Sequence, residues 1–210
     1  MSALRVHSLH IHPLKGARAV NLGAAAVELR GLAGDRRLVA TDPDGAFLSQ
    51  RNQGALARVN AEWRGQAIHL RSEDIADAFE GAPAGEERRG IVVWSDVISA
   101  RAFGAAADIW LSRALGRPAR LFMMDEASAR GTSTRFAPSA PLSFADAYPI
   151  LVATTASLAA LNAEIARAGG APIGMERFRP NIVIDGADPW AEDLWATIRI
   201  GDVVLDLVKP

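Results

Sequence analysis

Turn-forming residues interrupt the first half of this chain too often to allow long elements there. Residues 4–11 run into Pro13, residues 24–30 into Gly31, and residues 36–41 into Asp42-Pro43-Asp44-Gly45. Short apolar runs bounded by Gly, Pro and Asp read as strands joined by tight turns. In the last of these turns, Pro43 supplies the fixed φ of a type I turn and Gly45 falls where a bulged hairpin needs a left-handed residue, so residues 36–41 are expected to pair with 46–51. Further strands are expected at 67–72, 90–94 and 97–103, with an exposed loop rich in Gly, Pro and Glu between 81 and 90.

Helical spacing emerges only later. Ala105, Asp108, Ile109, Ser112 and Leu115 predict a helix over 105–115 that Gly116 and Pro118 stop. A second helix is expected over 155–168, with a Thr/Ser cap, Leu158, Leu161 and Ile165 on one face, and Gly169-Gly170 at its end. Strands are expected at 120–124, 179–185, 197–200 and 202–208. Residues 125–141 lack periodicity, which predicts a domain over 1–125, a linker over 126–140 and a second domain over 141–210. The fold class is therefore β-rich α+β, with two small β domains and a few helices.

Composition narrows the function. The 210 residues are 50% hydrophobic and 22% charged, with a net charge of -1, which suits a chain with a true core. That balance predicts no nucleic-acid partner, since such binding needs a one-sided excess of cations. There is no apolar run of membrane-spanning length, and Arg5, His7 and His10 break up the first residues, so a soluble cytoplasmic protein with no membrane partner is expected. The sequence has no cysteine, which removes disulfides and thiolate ligands. Among 23 basic residues only Lys15 and Lys209 are lysine. A lysine kept against such an arginine bias suggests a need for a compact point charge.

Three segments carry candidate chemistry. In 176–185, Pro180 is expected to hold Arg179 extended, and alternation then sets Arg177, Arg179 and Asn181 on one strand face, a donor-rich platform for phosphate or a heteroaromatic edge unless it is simply solvated. Pro13-Leu14-Lys15-Gly16 puts a cation beside a glycine that lets backbone approach an anion. Gly31 to Arg37 is a second basic turn, whose Asp35 and Arg36 are expected as a surface pair worth at most ~1 kcal/mol. His7, His10, His12 and His69 have no zinc-like spacing and are read as strand residues, with no metal site.

Seven short stretches in order (13–16, 30–37, 47–51, 110–111, 143–149, 177–181 and 191–195) make the chain resemble a MOSC-domain protein preceded by the MOSC N-terminal β-barrel domain. The resemblance spans essentially the whole chain. It implies the molybdenum cofactor (molybdopterin), reduction of a small N-hydroxylated substrate, and an electron-donor protein or reductase as partner. A pyridoxal phosphate association also comes with the family. By motif, Lys15 and Arg36 resemble the pair that grips the cofactor phosphate, Arg179 and Asn181 the pair that holds pterin and phosphate, and Asp146 a residue lining the same cleft. Gly16 and Ala17 stand where the family often has hydroxyl or thiol side chains. In the family, Lys209-Pro210 is normally followed by a metal-ligating cysteine, so the chain is expected to be a truncated form. Two alternatives accompany the reductase: a non-enzymatic cofactor carrier or sulfur-handling module, and an inactive β-barrel.

Overall fold

The computed structural model describes residues 4–210. The first half holds β1 (Arg5–Ile11), β2 (Val20–Leu22), β3 (Val27–Glu28), β4 (Gly31–Leu32), β5 (Leu38–Thr41), β6 (Val59–Arg64), β7 (Ala67–Ser72), β8 (Ile75–Gly81), β9 (Arg88–Val93) and β10 (Asp96–Ala102). Helix α1 (Ala105–Leu115) and β11 (Arg120–Met123) follow. The rest comprises β12 (Val152–Thr154), helix α2 (Thr155–Arg167), β13 (Ile182–Asp185), β14 (Thr197–Ile200) and β15 (Val203–Asp206).

These strands form three principal sheets, in the orders β12-β13-β1-β2, β5-β11-β10-β9 and β6-β7-β8, with β3-β4 and β14-β15 as separate hairpins. Strand β5 divides the interior. Leu38 and Ala40 face one apolar cluster with Leu56, Ile68, Leu70, Phe103, Trp110 and Leu111, while Val39 faces a second with Ile91, Ile98, Phe122 and Phe144. Alternation puts successive side chains on opposite faces, so a strand buried throughout belongs in the middle of a fold. Helix α1 packs on β8 and β11 and closes the larger cluster. It stops at left-handed Gly116, where the Gly116 and Arg117 amides donate back to Arg113 and Ser112. At α2 the Thr154 hydroxyl accepts from the Ser157 amide, satisfying one of the free donors of the first turn.

The sheet that matters for function joins the two halves of the sequence. Strand β1 pairs antiparallel with β13, from Arg5 opposite Asp185 to Leu9 opposite Ile182, and β13 pairs in parallel with β12 across α2. A bulge between Val6 and Ser8 shifts the register of the first pair.

Several local expectations need correction. Residues 46–51 form no strand; they meet β5 only through the Thr41–Phe47 bridge and the Leu48 amide to the Ala40 carbonyl, because a tight turn at Ser49 draws the chain away. The run 24–30 shortens to β3, and β6 and β8 lie where no strand was expected. Arg179 is not extended: its φ is 57°, with its amide donating to Glu176 and its carbonyl accepting from Arg36, so tertiary hydrogen bonds overrule the preference imposed by Pro180. Arg179 and Asn181 precede β13 instead of belonging to it. Asp35, expected at the surface, is fully buried. His12 lies just past the end of β1 and not within the strand, because the chain turns there at Pro13.

Candidate functional site

One cavity of about 540 Å³ is lined by Lys15, Arg36, Arg179, Asn181 and Asp146, together with Phe47, Arg51, Trp94, Tyr148, Arg177 and Lys209. All five residues singled out by sequence meet there, although Lys15 and Arg179 are far apart in the chain. The placement follows from backbone hydrogen bonds. The Lys15 amide donates to the Leu38 carbonyl, the Arg36 amide to His12, and the Phe144 amide to Arg36, which brings three loops around the open end of β5. Gly16 and Gly34 serve this arrangement through positive φ, 85° and 78°; a Cβ on Gly34 would sit 2.8 Å from the Trp63 ring. Among the described residues, four non-glycine positions have positive φ, and Arg36, Trp94 and Arg179 are three of them. Such backbone costs of order 1–3 kcal/mol per residue and persists where surrounding bonds enforce it.

The cations are held by distinct means. Lys15 is buried; its Nζ donates to the Phe144 carbonyl (2.8 Å) and to Asp146 Oδ1 (2.5 Å), with the rings of Phe47 and Trp94 5.3 and 5.9 Å away. Burial pushes its pKa down, and Asp146 only partly offsets that. Burial works upward on Asp146, but the charge and hydrogen bond of Lys15, the Trp94 indole N–H and Arg36 outweigh it and hold the carboxyl below its usual range. Arg36 Nη1 donates to Asp35 (2.5 Å) and to Asn181 Oδ1 (3.1 Å), and its Nη2 to the Arg179 carbonyl (2.9 Å). Asp35 also accepts from the His12 amide at 2.7 Å.

Arg179 differs from both. Its Nη1 donates to the Ala17 carbonyl at 2.6 Å, while its buried Nη2 has no partner. Burial first, then Arg36, lowers its pKa to about 10, with Asp35 and Asp146 opposing. The Tyr148 hydroxyl is another buried polar atom without a partner, in a residue that also lines the cavity. Asn181 lines the cavity, yet its side chain is committed internally: Oδ1 accepts from Arg36 and the Leu151 amide, and Nδ2 donates to the His10 carbonyl. It positions Arg36. His12, beside these arginines, is buried with both ring nitrogens unpaired, and burial together with Arg36 and Arg179 lowers its pKa to about 2. Among the described residues no group of His, Asp or Glu is arranged to hold a metal ion.

Sequence reasoning missed Trp94 and Arg51 at the mouth and the buried role of Asp35. A tryptophan in the two-residue turn between β9 and β10 was the available signal, since turns favour small polar residues.

The MOSC N-terminal beta barrel domain matches residues 3–118, and the MOSC domain matches residues 139–210. The chain belongs to the MOSC family. Its relatives include mitochondrial amidoxime reducing component 2 of Homo sapiens, 27% identical over 94% of this chain and 61% of that protein, and component 1 of the same species, 28% identical over 97% and 62%. Molybdenum cofactor sulfurase of Oryza sativa subsp. japonica is 24% identical over 96% of this chain and 27% of its own length. The chain thus spans about six-tenths of the amidoxime-reducing relatives. A Bordetella bronchiseptica protein solved in solution shares 17% identity over 50% of this chain and 90% of its own, with a TM-score of 0.38. This MOSC protein is related to molybdenum-cofactor proteins, and among its described residues no helix is long and apolar enough to cross a membrane.

Proposed function

We propose that this MOSC protein is the cofactor-binding part of a cytoplasmic, molybdenum-cofactor-dependent reductase of N-hydroxylated compounds, supplied with electrons by a partner protein. The observation that carries the reading is the convergence of Lys15, Arg36 and Arg179 on one cavity, with Arg179 Nη2 buried and unpaired. A phosphate is the natural guest for three cations grouped around one cavity. When bound, the cofactor supplies the redox chemistry; the protein supplies grip and orientation. Lys15 and Arg179 hold the phosphate, Arg36 adds charge from behind while Asp35 and Asn181 keep it in place, and Asp146 faces the cavity as a carboxylate. The sequence has no cysteine to offer the metal a thiolate.

A second reading, a cofactor carrier or sulfur-handling module, is favoured by the similarity to the rice sulfurase along 96% of this chain. One experiment addresses the shared premise. Pterin co-purifying with the protein, measured by fluorescence after oxidative release, is expected to fall about tenfold or more in Arg179→Ala and in Lys15→Met, because each charge-assisted bond contributes ~1.5–3 kcal/mol. Equal pterin in the variants, or none in the wild type, overturns the assignment. Turnover of an amidoxime by the pterin-loaded protein, with a reductant present, then separates enzyme from carrier.

A further inference from the structure

The cavity holds more positive charge than one phosphate needs. Arg51, Arg177, Arg179 and Lys209 all line it, and none appears in an ion pair among the described residues. Arg179 belongs to the inner end with Lys15 and Arg36. Arg51 and Arg177 are exposed at the mouth, where a charge kept without a carboxylate partner is available to an incoming anion. Surface arginines elsewhere are of both kinds, since Arg58 pairs with Asp74 and Arg113 with Asp77 while the exposed Arg117 and Arg199 have no ion pair among the described residues. What distinguishes the mouth is that Arg51 and Arg177 are grouped around one cavity.

The same mouth carries an aromatic platform. Trp94 stays 46% exposed despite its size. Its ring is fixed on the inner side by the edge of Phe47, with centroids 4.9 Å apart, and by its N–H bond to Asp146. The Arg51 guanidinium lies 5.6 Å from the ring centroid. With the guanidinium over it, the indole and Arg51 together form a flat cationic surface that takes an aromatic ring and an anion next to it. Trp94 also adopts left-handed backbone, φ 56°, a conformation unfavourable for a bulky residue. The positive φ belongs to the two-residue hairpin turn between β9 and β10, so what asks for a task is the choice of a tryptophan for that position on the rim of the cavity.

We infer that the mouth is a second, outer anion subsite, which seats a planar aromatic ring on Trp94 and the ring's carboxylate or phosphate on Arg51 and Arg177. The inference rests on the assignment of the inner donors to the cofactor phosphate, and it deepens that reading by naming the substrate class as aromatic and anionic. Charge at the mouth attracts such molecules, and the ring platform selects among them. Neutral aromatics lack the arginine contacts, and small aliphatic acids lack the platform.

Calorimetric titration of the whole protein with 2-naphthoate, its neutral amide and acetate, in phosphate-free buffer, tests this. Naphthoate is expected to bind at least about tenfold more tightly than either control, with Trp94→Asn removing most of that advantage, since stacking of one ring is typically worth about that factor. Asparagine tolerates the left-handed backbone, so folding is retained. Arg51→Gln and Arg177→Gln are each expected to weaken naphthoate about fivefold and to leave pterin content unchanged. Equal binding of the three compounds, no binding of naphthoate, or insensitivity to Trp94→Asn overturns the proposal. If naphthoate binding is lost in Arg179→Ala and unchanged in Arg51→Gln and Arg177→Gln, its anion occupies the inner seat and the outer subsite is wrong. If pterin is absent from the protein while naphthoate binds as described, it is the cofactor assignment that fails.

Discussion

Two buried regions of this molecule are built on opposite principles. Around α1, Leu38, Leu56, Ile68, Leu70, Phe103 and Leu111 meet with almost no polar atom between them. In the loops around the end of β5, His12, Lys15, Asp35, Arg36 and Asn181 are also out of solvent, or nearly so, but every one carries a polar or charged group. The apolar region gains from volume and tolerates local rearrangement. The polar region is stable only as a set, because removing one member strands its partners in a low-dielectric interior. The comparison teaches which residues can be changed without touching the site.

The largest effect is expected from Asp35→Ala. It leaves the His12 amide without its acceptor and the Arg36 guanidinium without its buried carboxylate, at a cost of about 4 kcal/mol in urea unfolding and with loss of pterin as well. Leu111→Ala is expected to cost about 3 kcal/mol by the same measurement while pterin content stays at the wild-type level. If the two variants lose pterin equally per unit of stability, the distinction between the regions collapses.

A pH series sharpens it further. The unfolded chain protonates His12 near pH 6.5, whereas in the folded protein that pKa is lowered to about 2. The unfolded state therefore binds the proton first: His12 costs nothing above pH 6.5, and stability falls as pH drops below it, by up to ~1.4 kcal/mol per pH unit from this group. Urea midpoints on either side of pH 6.5 are expected to show a shallower acid slope in His12→Gln. The smallest effect belongs to Arg64→Ala, which breaks an exposed pair with Glu80. It is expected to change stability by less than about 1 kcal/mol and leave pterin unchanged.

Helix α1 was legible because its spacing and its Gly116 stop are local signals, and α2 for the same reason. The gathering of Lys15, Arg36, Asp146, Arg179 and Asn181 came from family motifs; no local rule predicts that residues so distant in sequence share a cavity. What stayed hidden was set by tertiary bonds. The left-handed Arg179 depends on the carbonyl bond from Arg36, and the burial of Asp35 depends on the His12 amide, neither of which is written in neighbouring residues. Strand β8 escaped notice because its polar and small residues dilute the alternation that marks a strand, whereas β6 alternates strictly from Val59 to Arg64 and was legible.

The pairing of β1 with β13 also governs how this protein is made. Arg5 and Asp185 close one of the widest loops the chain allows, and contacts of that separation form late, after local hairpins and helices. On the ribosome, Lys15 and Arg36 emerge well before Arg179, so for much of synthesis the anion seat exists only as scattered cations. A ligand that binds the closed form draws the last folding step forward by mass action, more strongly as its concentration exceeds its dissociation constant. The stability of the closed form thereby rises with the concentration of whatever fills the cavity.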